Sequence, residues 1–227
     1  MGSSIFDKLF TKSVPHIVEK IFLSLDYESY KKCCEVSRTW NELLTSERYL
    51  NIGKSVFEDE ILEDEKKLLR AADMGIVTEV RRLLLSRMLD VNCMHGHYKS
   101  TPLHKAAMGG HKVVVQLLLD NGADLNGANE FGCTPLHDAV TWGYKEIVQL
   151  LLERGAKVHT KNKRGWTPLH TAAIGKCNEI VQILLDKGAV HDATAQDGRT
   201  PLSLAKLTGN TDIANTIMCY MQKQTVK

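Results

Sequence analysis

The sequence predicts an all-α protein in which a short N-terminal helical module precedes a solenoid of helix-turn-helix repeats joined by β-hairpin loops. Three observations lead to this fold class. A four-residue motif returns every 33 residues, an apolar helical pattern follows each copy, and the first fifty residues carry a different helical pattern. Internal periods of about 20–50 residues are typical of solenoids, because each unit needs its neighbours to bury its apolar face.

Length and composition are those of an ordinary globular protein. The chain has 227 residues, of which 43% are hydrophobic and 25% charged, and its formal net charge is +2. That charge gives no electrostatic footprint for nucleic acid or membrane. No apolar run reaches the roughly 18 residues that suggest a transmembrane helix, and the N-terminus lacks the apolar core of a signal peptide. We therefore expect a cytoplasmic or nuclear protein with reduced cysteines.

The repeated motif is Thr-Pro-Leu-His. It begins at Thr101, Thr134 and Thr167, and a fourth copy, beginning at Thr200, reads Thr-Pro-Leu-Ser. Threonine suits the N-cap because its hydroxyl accepts an orphan backbone N–H, and proline at the first helical position sacrifices no hydrogen bond. The motif and its period resemble the ankyrin repeat. This resemblance implies stacked helix-turn-helix units with hairpins between them.

About five units are expected between residues 64 and 227. The segment with Ala71 and Ala72 aligns with the first full repeat, but it lacks the motif, and its spacing of 35 puts two extra residues in its helices or in the following loop. In the last unit, Ser203 replaces the histidine. Both terminal units therefore suit caps, which must be polar on one side.

The motif histidines His104, His137 and His170 are expected to make structural hydrogen bonds near the threonine caps, as the ankyrin resemblance implies. Stacked helices lie about 8–10 Å apart, whereas two ligands of one zinc ion each lie about 2 Å from it. Successive histidines are therefore poorly placed to share a metal ion.

Residues 13–50 lack the repeat and predict about three short helices. Apolar residues recur at helical spacing, first from Ile17 to Leu25 and then from Tyr30 to Leu44. Neither a CxxC pair nor a nearby histidine completes a zinc site around Cys33 and Cys34. Cys33 is therefore interpreted as a small residue of the module's core.

This segment resembles the F-box. The resemblance rests on the Val-Pro pair at Val14, the "IVEKIF" stretch from Ile17, the Leu-Asp pair at Leu25, and the "VSRTWNEL" stretch from Val36. It implies docking onto the SKP-type adaptor of a cullin-containing, SCF-type ubiquitin ligase. The expected adaptor-binding residues are Val14, Pro15, Ile17, Ile21, Leu25, Cys34 and Val36.

A short structured linker is expected at residues 51–63, followed by the ankyrin-repeat domain at 64–227. Six acids lie within the eight residues from Glu58 to Glu65, and the stretch from Gly53 to Gly75 contains no proline and no Gly/Ser run. We interpret the acids as a solvated face near the start of the capping helix, where they suit the helix dipole. The composition does not favour a flexible linker.

No catalytic motif is found, so we expect a non-enzyme without a metal site or cofactor. Two functions remain open. The first is the substrate-recognition subunit of an SCF-type ubiquitin ligase, whose F-box docks the adaptor and whose ankyrin repeats bind the target protein. The alternative is a non-ligase ankyrin scaffold or inhibitory protein-protein interaction module, in which the N-terminal helices cap the array.

The target is expected to contact the hairpin tips and the exposed side of the first helices, because these positions escape the stacking core. Aromatic residues and arginine, which are enriched in interface hot spots, cluster there on the middle repeats. Packing against a neighbouring hairpin or helix is the alternative for Trp142 and Trp166. The candidates are Tyr98, Lys105, Met108, Phe131, Asp138, Trp142, Arg164, Trp166 and Ile174.

Two asparagines are candidates for modification. Asn92 and Asn126 each follow a leucine by eight residues. They are similar to the ankyrin asparagines that a factor-inhibiting oxygenase hydroxylates. A simple turn asparagine is the alternative at either position.

Overall fold

The computed structural model describes residues 62–85, 89–175 and 177–225. The predictions for the N-terminal module at 13–50 and for most of the linker fall outside these residues. Within the described ranges the chain forms ten helices and no β-strand, which confirms the predicted all-α class. None of these helices is both long and apolar enough to cross a membrane. The residues from Asp64 onward belong to one compact unit.

The ten helices follow one another in five pairs. They are α1 (62–74), α2 (Val77–Leu84), α3 (Pro102–Met108), α4 (Lys112–Asp120), α5 (Pro135–Thr141), α6 (Lys145–Glu153), α7 (Pro168–Ile174), α8 (Asn178–Asp186), α9 (Pro201–Leu207) and α10 (Thr211–Thr225).

The pairs stack into two layers. The first helices α3, α5, α7 and α9 pack one against the next, and the second helices α4, α6, α8 and α10 form the other row, with α2 packed on α4. The leucines of the three Thr-Pro-Leu-His motifs, Leu103, Leu136 and Leu169, are buried in one continuous apolar core, and Leu202 of the last unit packs against it. The predicted solenoid is therefore present, with a first helix of only seven residues in each motif-bearing repeat.

Each full repeat starts its first helix as the motif predicts. Proline is the first helical residue after the Thr101, Thr134 and Thr167 caps. In the first of these, the Thr101 backbone N–H donates to His104 Nδ1 at 3.2 Å, and the threonine hydroxyl lies 2.8 Å from the same nitrogen. The other two repeats have the same pair of contacts.

The motif histidines also tie each repeat to the next. Because Nδ1 accepts from the threonine N–H, Nε2 carries the proton, and it donates to a main-chain carbonyl 29 residues further on. The His104 bond to Cys133 O is 2.9 Å, and those of His137 and His170 are 3.0 and 3.2 Å. The rings are buried, and desolvation lowers the pKa of all three, that of His137 to about 4. The predicted structural role of these histidines is confirmed.

The two extra residues of the first unit lie in the loop after α2 and not in the helices. Asn92 and Asn126 are equivalent, because each side-chain oxygen accepts from the backbone of the next repeat. Counting from Leu83 to Asn92 and from Asn92 to Thr101 places one extra residue in each half of that loop. The first hairpin is therefore longer than those that follow.

Candidate target-binding face

The hairpin tips form a row along the array, called here the tip row (Tyr98, Phe131 and Arg164). One main-chain hydrogen bond joins each tip to the next. The N–H groups of Glu130, Lys163 and Gln196 donate to the carbonyls of Tyr98, Phe131 and Arg164 at 2.9, 2.9 and 3.0 Å. The tips therefore share one hydrogen-bonded backbone frame.

The tip row presents aromatic and cationic side chains. Tyr98 and Phe131 are 61% and 53% exposed, and their ring centroids lie 5.5 Å apart. Arg164 holds its guanidinium 5.8 Å from the ring centroid of Trp166. Trp166 itself is only partly exposed and packs against the core. Exposed aromatic pairs and arginine are the side chains that concentrate interface energy.

A charged row next to the tips was missed at the sequence level. Glu130 lies between two lysines, with its carboxylate oxygens 3.5 Å from Lys99 Nζ and 3.6 Å from Lys163 Nζ. The available signal was the spacing of 33 between Glu130 and Lys163, which puts opposite charges at equivalent positions of adjacent repeats. All three side chains are exposed, so the pairs add little stability and leave charge available to a partner.

Three residues lie at equivalent positions on the exposed side of the first helices, and they are called here the helix row (Lys105, Asp138 and Thr171). Lys105 Nζ lies 3.5 Å from Asp73 Oδ1 on α1. Asp138 Oδ2 is buried and has no hydrogen-bond partner among the described residues. Burial raises the pKa of the Asp138 carboxyl to about 7, although the Lys105 ammonium lowers it.

The ends of the first helices hold the remaining candidates. Met108 and Ile174 are the last residues of α3 and α7, whereas Trp142 follows the last residue of α5. The equivalent of Met108 is Thr141, whose hydroxyl donates to His137 O at 2.8 Å. Trp142 therefore lies one position later in its repeat than Met108 and Ile174 do in theirs. It is 59% exposed and Ile174 is 37% exposed, so both offer apolar surface.

The two candidate modification sites hold the junctions between repeats. Asn92 Oδ1 accepts from the Asp124 N–H at 2.7 Å, and Asn126 Oδ1 accepts from the Lys157 N–H at 2.8 Å. Both side chains are half-buried. Each asparagine also closes a turn, because its own N–H bonds an aspartate two residues earlier.

The candidate adaptor-binding residues are outside the described ranges. They are Val14, Pro15, Ile17, Ile21, Leu25, Cys34 and Val36.

Comparison with known families identifies both parts of the chain. The model of ankyrin repeats matches residues 68–162 and 154–227. The model of the F-box domain matches residues 14–51. The chain belongs to the ankyrin-repeat family and carries an F-box domain before the array, as the sequence analysis predicted.

Individual relatives share the repeats. The chain is 36% identical over 122 residues to ankyrin repeat domain-containing protein 49 of Bos taurus, which covers 45% of this chain and 50% of that protein. It is 40% identical over 76 residues to the 2-5A-dependent ribonuclease of Mus musculus, 31% of this chain and 10% of that protein. It is 46% identical over 77 residues to human oxysterol-binding protein-related protein 1, and this match covers 30% of this chain and 8% of that protein. The chain thus spans at most about half the length of these curated relatives.

Both families are protein-interaction domains. The chain is therefore a protein-interaction protein with two binding modules.

Proposed function

We propose that the chain is the substrate-recognition subunit of an SCF-type ubiquitin ligase, acting in the cytoplasm or nucleus. The F-box domain docks the SKP-type adaptor and through it the cullin, while the ankyrin array binds the protein to be ubiquitinated. The observation that carries this proposal is the match of an F-box at residues 14–51 directly before an ankyrin array. Such a receptor needs no catalytic residue, because it raises the effective concentration of the target beside the conjugating enzyme.

Adaptor docking is assigned to the apolar stripe that contains Ile17 and Ile21. Apolar anchors that fill a partner's pocket concentrate the binding energy, at about 2 kcal/mol or more for each hot spot. A charge at such an anchor would leave an unpaired ion in the interface. Pro15 and Leu25 lie on the same stretch and are expected to flank the contact.

The test is co-purification with the adaptor. The variants Ile17→Glu and Ile21→Glu should each lose the adaptor, while thermal unfolding of the ankyrin array stays that of the wild type. The matched control is Leu207→Glu, which places the same charge at a 67% exposed leucine of α9. Adaptor retained by both F-box variants would overturn the ligase assignment and favour the ankyrin scaffold or inhibitory module.

Target binding is assigned to the tip row and the neighbouring exposed positions of the first helices. Phe131 and Trp142 contribute the largest exposed rings of the middle repeats, and Arg164 and Glu130 add charge beside them. Aromatic anchors with charged neighbours fit a folded or extended protein surface better than a small molecule.

The second test is quantitative capture of target proteins from cell extract. The double variant Phe131→Ala and Trp142→Ala should weaken capture by at least about tenfold, or about 1.4 kcal/mol, and leave adaptor binding intact. Val113→Ala is the control, because Val113 is 56% exposed and lies on a second helix, away from the tips. Targets that bind the double variant as well as the wild type would move the recognition face to another surface, such as the long loop from Cys93 to Ser100.

A further inference from the structure

Three side chains with metal-ligating atoms meet where the capping helix faces the first hairpin. The ligand atoms of Glu65, Cys93 and His95 all lie within 4.8 Å of one another. His95 Nε2 is 2.6 Å from Glu65 Oε2, and the Cys93 thiol donates to the main-chain carbonyl of Glu65 at 3.8 Å. These contacts join residues 28 and 30 positions apart, so the cluster connects α1 to the loop after α2.

The cluster is shielded from solvent. Cys93 is 4% exposed, and the side chains of Glu65 and His95 are 16% and 28% exposed. An Asx turn precedes the hairpin: the Cys93 N–H donates to Asp90 O at 3.0 Å, and the Asn92 N–H donates to Asp90 Oδ1 at 2.8 Å. The β-bridge between His95 and Ser100 then fixes the base of the hairpin. The three ligands thus come from ordered backbone, which favours a preformed site.

The hairpin that carries two of these ligands lacks a support found in the next two. Asn129 Oδ1 accepts two backbone N–H bonds within its own hairpin, and Asn162 does the same one repeat later. The equivalent residue in the first hairpin is Gly96, which has no side chain to offer. Lys99 also takes the left-handed conformation, at φ 46°, where the next hairpin has Gly132. The first hairpin therefore depends more on contacts with α1, and those contacts are made by the cluster.

The donor set selects the ion. Thiolate, imidazole and carboxylate are the three zinc ligands of proteins, with bonds of about 2.0–2.3 Å, whereas magnesium and calcium prefer oxygen alone. One thiolate and one carboxylate would balance the charge of Zn²⁺. Tetrahedral ligands at those bond lengths lie roughly 3.3–3.8 Å apart. Side-chain rotations that shift the three ligand atoms by about 1 Å would bring them to the spacing of a tetrahedral zinc site.

We propose that Glu65, Cys93 and His95 form a zinc site that clips the first hairpin to the capping helix. On binding, the Cys93 thiol proton leaves to solvent and the sulfur bonds the ion. The proton between His95 Nε2 and the Glu65 carboxylate moves to His95 Nδ1 or leaves to solvent. Both groups then exchange their contact with each other for bonds to the ion, and a water completes the tetrahedron. Because metal binding to a folded site stabilises the fold, zinc would rigidify the N-terminal cap and the base of the Tyr98 tip.

The test uses the full chain, freed of metal and titrated with Co²⁺ as a spectroscopic probe. The wild type should bind one equivalent, with the visible bands of tetrahedral Co²⁺ and a sulfur-to-cobalt charge-transfer band, and Zn²⁺ should displace it. Cys93→Ser, His95→Gln and Glu65→Gln should each weaken binding at least about tenfold, since even outer-shell changes cost about 10–100-fold. The controls are His97→Gln and Cys133→Ser, which alter a histidine and a cysteine outside the cluster and should bind as the wild type does.

Several results would overturn the site. They are the absence of a tetrahedral spectrum in the wild type, a charge-transfer band that persists in Cys93→Ser, or an equal loss in a control variant. If Cys93→Ser fails to fold, zinc-edge X-ray absorption of the wild type decides. One sulfur neighbour per zinc supports the proposal, whereas two or more place the ion among other cysteines and contradict it.

Discussion

The buried carboxyl of Asp138 carries a cost to the fold. Its Oδ2 atom is buried without a hydrogen-bond partner among the described residues, and burial raises the pKa of the carboxyl to about 7. A buried carboxylate that ionises without a partner lowers the free energy of unfolding. Residues that cost stability in this way are common where a ligand supplies the missing contact.

Asp138→Asn should therefore stabilise the free protein. At pH 8 the substitution replaces a partly buried carboxylate by a neutral amide of similar shape. We therefore expect the free energy of unfolding to rise by about 1 kcal/mol. The measurement is urea unfolding at pH 8, with Asp120→Asn as the control because Asp120 is exposed and paired with Arg154 at 2.9 Å. An unchanged or lower value for Asp138→Asn would contradict the cost assigned to this carboxylate.

Hydroxylation is expected at Asn92 or Asn126 in protein isolated from animal cells. The reason is the resemblance of both stretches to modified ankyrin asparagines, and each side chain is held at a junction by a bond of 2.7 or 2.8 Å. Mass spectrometry of peptides that span each site is the measurement. Asn121 is the internal control, because it is exposed and bonds Leu117 O within its own helix end. Spectra with neither site modified, or with Asn121 modified to the same extent, would contradict the predicted hydroxylation.

At the scale of elements, Tyr144, the residue before α6, contacts the preceding repeat. The Tyr144 ring covers Gly110, and a Cβ added at Gly110 would lie 2.6 Å from a ring carbon. Gly110 has a φ of 77°, as does Gly143 one repeat later, but a Cβ at Gly143 would meet nothing within 4 Å. The two glycines thus share a backbone requirement and differ in packing.

Gly110→Ala should destabilise the array more than Gly143→Ala. Alanine in the left-handed region costs about 1–2 kcal/mol at either position. The clash with the Tyr144 ring adds about 1–3 kcal/mol at Gly110 alone. Thermal or urea unfolding of both variants measures the difference. Equal losses would mean that the Tyr144 ring moves aside at no cost.

The sequence predicted the helices well where local chemistry decides them. A threonine cap, a proline at the first position and a fixed period locate the starts of α3, α5 and α7 without reference to the rest of the chain. The 33-residue period pairs Met108 and Ile174 with Thr141, so Trp142 lies one position after their equivalent. The candidate side chains on the tips were predictable from the same period, since Tyr98 and Phe131 are 33 residues apart.

Contacts between distant segments were not predictable. Glu65 meets His95 across 30 residues, and no motif spacing links them, because one lies on a helix and the other on an irregular loop. The unpartnered oxygen of Asp138 likewise depends on how neighbouring repeats bury it. Periodicity gives the position of a side chain within its repeat, whereas burial and ion pairing depend on the stack.

At the scale of the whole molecule, buried titratable groups oppose one another. The motif histidines have their pKa lowered from 6.5 in the folded state, so the unfolded chain binds more protons below pH 6.5 and their contribution to stability falls as the pH falls. The contribution of Asp138 to stability changes with pH in the opposite direction. Its folded pKa of about 7 exceeds its ordinary value of 3.8, so the folded state binds the extra proton and acidification from pH 7 favours folding through this group.

The free energy of unfolding should therefore fall between pH 6.5 and pH 5, because the pKa is lowered at three histidines and raised at one aspartate. Each fully shifted group contributes about 1.4 kcal/mol per pH unit. Asp138→Asn should make the fall steeper, since the opposing contribution is gone. Urea unfolding at half-unit steps of pH measures both slopes. A wild-type stability that stays flat or rises on acidification would show that the histidines are not held neutral by burial.

The histidine bonds between repeats run in one direction only. His104, His137 and His170 each reach forward to a carbonyl of the following repeat, whereas Ser203 bonds back to Thr200 O within its own turn. This bonding pattern therefore permits the insertion of further repeats. A duplicated 33-residue unit inserted between two threonines would find an acceptor for its histidine and offer a carbonyl to the one before. Truncation ahead of Arg199 would instead leave the buried His170 donor without its acceptor. The array can therefore gain a middle repeat more readily than it can lose its final one.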